Sequence, residues 1–352
     1  MNNRVLHILN TAKYSGAESV ALQIMDLVAP IYESIYVSFD GPIANVVTSR
    51  GKAFLPIESM NPRTIKEIVR KTNPRLIHAH DFTASTMTAF ANTGVPIISH
   101  LHNNPPWIKK PLHPKAMVYA IAVSRIRSVL TVSMSVEEEY VYRKVIGGKT
   151  VTLPNVVDGD RVIAMSRVGN RSSFIHSPYV VFLGRLSSQK NPLEFVRIVR
   201  AAREAGLDLH AVMIGDGELR EEVETLINHS ELSNRISLTG FISNPYPLLS
   251  QAHALVIPSK WEGFGLAAVE ALVLGVPVLA SPVGGLKDIV DSSCGALCVE
   301  TEDYVSELET LSVESNRATK SMLARRRSKL YTDVDAYKDK ILNIYRLGEK
   351  RQ

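Results

Sequence analysis

The sequence predicts an α/β protein with two doubly wound domains, each built on a parallel sheet that helices cover on both faces. Short runs of β-branched residues alternate with helical patterns along most of the chain. That alternation is typical of right-handed crossovers between parallel strands. It lapses once, over residues 151–178, and then starts again. At 352 residues the chain is long enough for two cores of ordinary size.

The first domain is predicted to span residues 1–168. Its strands are predicted at residues 5–9, 35–39, 76–79, 97–101 and 129–133, and its helices at residues 16–28, 62–71 and 84–92 and from Val136 onward. Pro, Asn, Gly and Ser are scattered through the lapse that follows, and such a composition favours a linker. We therefore expect the domain boundary near residues 169–176.

The second domain, residues 169–333, repeats the pattern. Its strands are predicted at residues 179–183, 209–214, 236–238, 254–257 and 278–280, and its helices at residues 192–205 and 219–229. A tight turn at residues 262–265 then opens an apolar helix that ends at Gly275. The last segment, residues 334–352, carries an amphipathic helix that we expect to pack back on the first domain.

Composition excludes several classes of protein. The content of 45% hydrophobic and 21% charged residues is that of a soluble globular chain. No run of apolar residues is long enough to predict a transmembrane helix, and the N-terminus lacks the apolar core of a signal peptide. Two cysteines, Cys294 and Cys298, are too few for a disulfide framework or a four-ligand zinc site. These features predict a cytoplasmic protein.

Positive charge is concentrated in the first half of the chain. Residues 1–170 contain 19 Lys and Arg against 12 Asp and Glu, whereas residues 171–352 contain 21 against 23. Residues 107–112 mix apolar and basic side chains, with more cations at Lys115, Arg125 and Arg127. Phosphate-bearing ligands, peripheral docking on an anionic membrane and an ordinary basic surface are all compatible with this pattern.

Glycines and cations follow several predicted strands of the second domain, where open α/β sheets bind their ligands. In chain order they are Gly184-Arg185 with Lys190, Gly215-Asp216-Gly217, Gly240-Phe241 and the run at residues 282–285. Glycine allows the backbone to approach a ligand closely, and the start of a helix offers N–H groups to an anion. Together these loops are suited to a diphosphate, although each one alone is also a common turn.

Two acids flank the start of the apolar helix. Glu262 lies in the turn and Glu270 lies within the helix. A carboxylate in a helix without a polar face needs a hydrogen-bonding partner, either in the protein or on a ligand. A helix-capping role for Glu262 and a satisfied core position for Glu270 are the structural alternatives.

The motifs GRLSSQKN, IGDGELREE, LTGFI, PSKWEGFGLAAVEAL and GVPVLASPVGG resemble the second domain of the group 1 glycosyltransferases, retaining enzymes with the GT-B fold. The resemblance is tight over residues 179–290 and looser over the first domain. It implies two Rossmann-like domains that face each other across a cleft. It also implies catalysis without a metal or a cofactor, with a nucleoside diphosphate sugar as donor substrate.

The resemblance implies a role for each motif residue of the second domain. Glu262 would support the donor sugar ring, Glu270 would bind the ribose hydroxyls, and Arg185 and Lys190 would hold the diphosphate. The donor-binding set also includes Gly184, Gly215, Gly263, Phe264, Gly265 and Leu266. Lys287 and Asp288 depart from the proline and glutamate that the family commonly has there.

Segments of the first domain resemble the same family less closely. The segment Ser15-Gly16-Ala17-Glu18 is similar to the family's glycine-rich loop, with Ser15 in place of its first glycine, and adds Gly16 to the donor-binding set. Residues 97–102 resemble the strand end that places a histidine close to the transferred sugar, here His102. His78 and His80 fit a pattern on the acceptor side. Residues 153–158 resemble the segment before the interdomain linker, with Val156 where glycine is usual.

The histidines also have a metal-binding interpretation. His78, His80, His100 and His102 alternate along two predicted strands, so the members of each pair face the same side, as zinc ligands often do. No third ligand is visible in the sequence, and the resemblance implies metal-independent catalysis, so we expect no metal. Core or rim positions also explain His78 and His100.

The predicted function is transfer of a sugar from a nucleoside diphosphate donor to a saccharide or lipid-linked glycan acceptor, in surface polysaccharide or glycoconjugate synthesis. His102, Glu262, Arg185 and Lys190 form the predicted catalytic set, and no nucleic-acid partner is expected. Alternatives are a nucleotide-sugar epimerase or phosphorylase of the same fold, and a catalytically silent partner subunit of a transferase. A dinucleotide oxidoreductase is disfavoured, because residues 10–16 lack the spacing G-x-G-x-x-G.

Overall fold

A computed structural model describes residues 3–168 and 178–349. The chain divides into two compact units. The first comprises Met1–Asn155 together with Val334–Gln352, and the second comprises Val156–Asp333. The segment in which the sequence places the boundary, residues 169–176, lies outside the described residues.

The first unit is built on a parallel sheet that contains seven strands among the described residues, in the order β3-β2-β1-β4-β5-β6-β7. The strands are β1 Arg4–Leu9, β2 Glu33–Phe39, β3 Ala53–Ile57, β4 Leu76–His80, β5 Ile97–Leu101, β6 Ser128–Thr131 and β7 Thr150–Thr152. Strands β4 and β5 are buried along their whole length, as expected for a sheet covered on both faces.

The helices that cover this sheet alternate with its strands. They are α1 Gly16–Val28, α2 Pro42–Ser49, α3 Pro62–Thr72, α4 Phe82–Ala91, α5 Pro114–Ala122, α6 Met134–Glu138 and α7 Arg143–Ile146. Strand β3, helix α2 and helix α5 are not predicted from the sequence. The Glu-rich helix expected from Val136 is only the five-residue α6, because the chain turns after Glu138.

The second unit has a parallel sheet of six strands among the described residues, in the order β10-β9-β8-β11-β12-β13. The strands are β8 Tyr179–Leu183, β9 His210–Ile214, β10 Ile236–Gly240, β11 Ala254–Ile257, β12 Val278–Ala280 and β13 Gly295–Leu297. The helices are α8 Gly159–Ser166, α9 Pro192–Glu204, α10 Arg220–His229, α11 Tyr246–Leu249, α12 Leu266–Leu274, α13 Leu286–Ile289, α14 Thr301–Ser312 and α15 Glu314–Ser328. The prediction of two doubly wound, parallel-sheet domains is confirmed.

Helix α8 explains why the units divide at Asn155 and Val156, before the predicted boundary. The side-chain amide of Asn244 donates to the carbonyl oxygens of Met165 at 2.9 Å and of Val168 at 3.1 Å. These bonds fix the end of α8 within the second unit. The sequence shows only an irregular stretch there, since α8 is short and follows a prolonged loop.

The last helix, α16 Val334–Glu349, belongs to the first unit, as the sequence analysis expects. Its residues Ile341 and Tyr345 are fully buried. The phenol of Tyr345 lies 2.8 Å from Nδ1 of His78 on β4. The helix is therefore fixed to the sheet by both apolar burial and a polar contact.

Each sheet has one point at which the strand order reverses. In the first sheet this point lies between β1 and β4, and in the second it lies between β8 and β11. Ligands of open α/β sheets bind outside the carboxyl ends of the two strands at such a point. No helix of the described residues is long and apolar enough to cross a membrane.

Candidate functional site

In the second unit, the loops that leave β8 and β11 are joined to each other. The amide of Lys260 donates to the carbonyl of Gln189 at 2.8 Å, and the side chain of Gln189 donates to the carbonyl of Trp261 at 3.1 Å. Because β8 and β11 flank the reversal of strand order, these bonds build one continuous rim at the expected ligand-binding edge.

Lys190 and Glu262 face each other from these two loops. The ammonium of Lys190 donates to Oε1 of Glu262 at 2.7 Å and to Oε2 at 2.8 Å. Asn191 has a φ of 54°, a left-handed conformation that asparagine tolerates well, and α9 begins at the next residue. Glycine at position 265 is the N-cap of α12, so Glu262 does not cap that helix.

Glycines allow the neighbouring loops to approach closely. A Cβ atom on Gly284, whose φ is +53°, would lie 1.5 Å from the carbonyl oxygen of Glu262. A Cβ atom on Gly215, whose φ is +142°, would lie 1.9 Å from the carbonyl oxygen of Gly184. The loops after β12 and β11, and those after β9 and β8, therefore need glycine where their backbones meet.

Glu270 lies on α12, and its carboxylate accepts a hydrogen bond from the hydroxyl of Tyr246 at 3.1 Å. Burial raises the pKa of Glu270, while the Tyr246 bond and the charge of Lys190 act in the opposite direction. Both predicted acids are thus electrostatically linked to Lys190. Arg185 is exposed, and in the described part of the chain no carboxylate forms an ion pair with it.

The remaining donor-side predictions lie on the same rim. Phe264 buries its ring, which meets Tyr331 edge to face with the ring centroids 5.7 Å apart, so only its backbone is left for a ligand. Gly263 accepts a hydrogen bond from the amide of Gly285 at 3.1 Å. Leu266 is the first residue of α12. In place of the family's proline and glutamate, the short α13 carries Lys287 and Asp288.

In the first unit, five histidines share one face of β1, β4 and β5. Nδ1 of His7 lies 3.1 Å from Nε2 of His80, and Nδ1 of His80 lies 2.9 Å from Nε2 of His102. In a second line, Nε2 of His78 lies 3.2 Å from Nδ1 of His100. In the register of the sheet, His7 lies beside His78 and His80 lies beside His100, so these side chains are on the same side of the sheet.

Burial lowers the pKa of each of these five imidazoles. The pKa of His102 falls to about 3, and that of His7 falls to about 3 with a contribution from the charge of Lys52. His78, His80 and His100 have pKa values well below the usual one for the same reason, reinforced by their neighbouring imidazoles. All five are therefore neutral near pH 7.

Neutral imidazoles can also bind metal ions, and two groups in the described residues bring one nitrogen each within 4.8 Å of one another. They are His7, His78 and His80, and His80, His100 and His102. The third ligand, His7, lies on β1 and is not apparent as a ligand from the sequence. The short N···N distances also allow hydrogen bonds between neighbouring imidazoles, which is the alternative to a shared ion.

Asp81 is a further candidate residue that is not predicted from the sequence. It follows β4 at the reversal of strand order and has a φ of 88°, which is rare for a residue with a side chain. Its carboxylate accepts from the amides of Ala84 at 2.8 Å and Asn10 at 3.3 Å. Burial nevertheless raises its pKa to about 6. The aspartate before a helical pattern is a visible N-cap signal, but its strain and its contact with Asn10 are tertiary features.

The segment at the start of α1 uses its polar residues internally. The hydroxyl of Ser15 donates to Oε2 of the buried Glu18 at 2.5 Å. Gly16, the first residue of α1, follows this N-cap serine. The serine that replaces the family's glycine is therefore engaged in holding an acid next to the carboxyl end of β1.

Two Rossmann-like parallel sheets, with glycine-rich loops at the carboxyl ends of their strands, are the architecture of the GT-B fold. The family profile "Glycosyl transferases group 1" matches residues 172–326, and "Glycosyltransferase Family 4" matches residues 32–161. The chain belongs to the group 1 glycosyltransferases.

Relatives and solved structures agree with this assignment. The chain is 24% identical over 376 residues to the UDP-Gal:alpha-D-GlcNAc-diphosphoundecaprenol alpha-1,3-galactosyltransferase of Escherichia coli, covering 97% of this chain and 96% of that protein. It is 27% identical over 287 residues to the uncharacterized glycosyltransferase MJ1059 of Methanocaldococcus jannaschii, covering 73% and 71%. The crystal structure of Alr3699/HepE from Anabaena in complex with UDP and glucose has a TM-score of 0.85 at 19% identity, covering 97% and 98%, which shows a common fold.

Proposed function

We propose that this glycosyltransferase moves a sugar from a nucleoside diphosphate donor to a hydroxyl of a saccharide or lipid-linked glycan, with retention at the anomeric carbon. The observation that carries the proposal is the contact between Lys190 and Glu262 at the reversal of strand order in the second sheet. The E. coli relative is named for a UDP-galactose donor and a diphosphoundecaprenol-linked acceptor, and HepE is described with UDP and glucose. A role in surface polysaccharide or glycoconjugate synthesis accords with both.

When the donor binds, Lys190 is proposed to exchange its contact with Glu262 for a contact with the diphosphate. The diphosphate would attract Lys190 and the exposed Arg185, two cations that stabilise negative charge on the leaving group without a metal. As Lys190 turns to phosphate, the Glu262 carboxylate becomes free to accept hydrogen bonds from sugar hydroxyls. Glu270, beside Tyr246, would bind the ribose hydroxyls. The backbones of Gly184, Gly215 and residues 263–266 would approach the donor closely.

Retention is proposed to arise from attack on the face that the phosphate leaves. No covalent intermediate on Glu262 is proposed, because its carboxylate is assigned to hydrogen bonds with the sugar hydroxyls in the donor complex. The departing phosphate would instead take the proton of the acceptor hydroxyl. His102, with His78 and His80 behind it, is proposed to act on the sugar and acceptor side through hydrogen bonds.

The test is a screen of UDP, GDP and ADP sugars with and without saccharide acceptors, with the products identified by mass spectrometry and the anomer by NMR. The proposal expects acceptor-dependent transfer with the donor's anomeric configuration, unchanged by EDTA. It also expects Glu262→Gln to lower turnover at least about 100-fold, while Glu67→Gln, which breaks an exposed ion pair on α3, leaves it unchanged. Isomerisation of the donor in the absence of acceptor would indicate an epimerase. Phosphate-dependent release of a sugar phosphate would indicate a phosphorylase, and donor binding without turnover would indicate a silent subunit. Each of these results would overturn the proposal.

A membrane-facing surface is a second part of the proposal. We define the α5 surface as Leu112, Met117 and Ile121, whose exposed fractions are 86%, 43% and 63%, together with the exposed Lys110 and Lys115. Residues 82–136 contain five Lys and Arg and no Asp or Glu. This charge pattern complements an anionic lipid surface, with the apolar side chains entering the headgroup region. Docking at the inner face of the membrane would bring the enzyme to a lipid-linked acceptor.

Vesicle sedimentation tests this surface. We expect binding to vesicles with about one-third anionic lipid that weakens with salt, and little binding to neutral vesicles. Leu112→Ser with Ile121→Ser should reduce binding about tenfold or more, because each buried apolar side chain contributes on the order of 1 kcal/mol. The control is Leu330→Ser, which changes a leucine of the second unit that is 66% exposed. Equal binding to neutral vesicles, or no effect of the double variant, would contradict the proposal.

A further inference from the structure

The histidines of the first unit form a connected line that the proposed function does not by itself explain. The line runs from His7 on β1 through His80 on β4 to His102, just after β5. The rings of His80 and His102 are nearly parallel, at 13° with centroids 5.1 Å apart. The line thus joins the buried interior of the sheet to its carboxyl edge.

The tautomers of the three histidines in this line depend on one another. A neutral imidazole carries one N–H, so one ring nitrogen donates and the other accepts. His80 uses both nitrogens in the line, so if it donates to His102 it must accept from His7, and the reverse also holds. The two hydrogen bonds therefore point in the same direction. The line has two states, and the tautomer of His102 is coupled to that of His7.

The two states of the line differ in which of its end nitrogens carries a proton. Nε2 of His7 and Nδ1 of His102 are both buried, and neither has a hydrogen-bond partner among the described residues. One of the two carries the third proton. The His102 side chain as a whole is only partly buried, so a small shift of its ring would bring Nδ1 to a ligand hydroxyl. A buried nitrogen without a partner costs free energy, so a hydroxyl that pairs with Nδ1 gains affinity and selects one state of the line.

The surroundings keep the line neutral. Burial lowers the pKa of His7 to about 3, and the charge of Lys52 adds to the effect. A proton accepted at His102 could move along the line only by leaving a second proton on His7, where burial disfavours it. The line therefore controls which nitrogen donates, and it does not store a proton.

We propose that His80 and His7 are positioning residues, which fix the ring and couple the tautomer of His102 so that its Nδ1 pairs with a hydroxyl of the sugar or the acceptor. This inference rests on the proposed function for the contact of His102 with substrate. The coupling within the line does not depend on that contact, and the two parts can be tested separately.

The spectroscopic test uses protein with 15N-labelled histidine. In the wild type we expect one predominant tautomer at His102, and addition of UDP sugar with an acceptor should shift it. In His80→Phe, which keeps a ring but removes both nitrogens, and in His7→Phe, the His102 signals should move toward a mixture of tautomers. The matched control is Tyr345→Phe, which keeps a ring but removes the hydroxyl at the end of the other line, Tyr345–His78–His100, and should leave the His102 tautomer unchanged.

The kinetic test uses rescue. His80→Phe should lower kcat/KM about tenfold, as expected for loss of one hydrogen bond, and the substrate whose hydroxyl pairs with Nδ1 of His102 should show the rise in KM. His80→Asn keeps an amide at the position of Nδ1 and should recover kcat/KM to within about threefold, whereas His80→Gln keeps only the position of Nε2 and should not. A loss caused by weaker folding alone would follow the Tm of the variants and show no such order.

The outcomes separate the two parts. Unchanged His102 signals and kcat/KM in both His80→Phe and His7→Phe would overturn the coupling. Coupled signals with full activity in His102→Phe would leave the line intact but refute its role on the substrate. Absence of any sugar transfer by the wild type would refute the proposed function. Stoichiometric Co²⁺ binding that His80→Phe abolishes would replace the line by a metal site.

Discussion

The ammonium of Lys190 contacts both oxygens of Glu262, at 2.7 and 2.8 Å, and the two side chains are 23% and 10% exposed. Lys190→Met should therefore leave a largely buried carboxylate without its cation and lower the free energy of unfolding by about 2–3 kcal/mol. Denaturant unfolding measures this change. Arg63→Met, which breaks the exposed pair with Glu67, is the control and should cost less than about 0.5 kcal/mol.

The same pair separates stability from function. The double variant Lys190→Met/Glu262→Gln removes both charges and should recover most of the free energy of unfolding. It should not recover donor turnover, since neither diphosphate nor sugar then finds its charged partner. Calorimetric titration with UDP, together with the activity assay, checks this result. Recovery of turnover in the double variant would show that the pair only stabilises the fold.

Gly284 supports Glu262 from the next loop. Gly284→Ala places a methyl group against the carbonyl of Glu262, since a Cβ atom there would lie only 1.5 Å away, so the loop must move. We expect at least about a tenfold loss of donor binding and more than about 2 kcal/mol of destabilisation. Gly51→Ala is a matched control, because Gly51 has a φ of +67° with nothing within 4 Å of its Cβ position. It should cost only about 1 kcal/mol and leave donor binding unchanged.

Tyr246 is predicted to keep Glu270 ionised. Its hydroxyl donates to the carboxylate, and this bond opposes the rise in pKa that burial causes. Tyr246→Phe should raise the pKa of Glu270 further, so that UDP binding weakens about threefold to tenfold and the loss grows as pH falls. Titrations at several pH values above about 5 measure this trend. A pH-independent loss would mean that Tyr246 acts by packing alone.

Asp81 makes stability depend on pH in the direction opposite to that of a salt-bridged acid. Its pKa is raised to about 6 in the folded protein, against about 4 in an unfolded chain. The contribution of Asp81 to the free energy of unfolding should therefore fall by about 2–3 kcal/mol as pH rises from about 4 to about 7, whereas the five buried histidines act in the opposite direction, in the wild type and in an Asp81 variant alike. Asp81→Asn removes this titration and tolerates the positive φ. Its unfolding free energy relative to that of the wild type should rise over the same range, and a flat difference would contradict the prediction.

A helix or strand can be predicted from the sequence when the residues that determine it are close together in the chain. Helices with strong periodicity and clear ends, such as α1 and α9, are predicted almost to the residue, because caps and apolar spacing are properties of a few neighbours. Helix α8 is missed because contacts with Asn244, 76 or more positions away, fix its end. Strand β3 and the neighbouring helix α2 are also not predicted. Strand β3 is short and only partly buried, so its sequence lacks the apolar run that marks a buried strand.

For the candidate site, the sequence by itself determined which residue types stand after which strands, including Lys190, Glu262 and Glu270, because strand order along the chain is a property of the chain. Only the tertiary structure decided that Lys190 and Glu262 contact each other, 72 positions apart, and that His7 completes a line with His80 and His102. The register between parallel strands sets such contacts. That register results from packing of the whole sheet, which no short stretch of sequence contains.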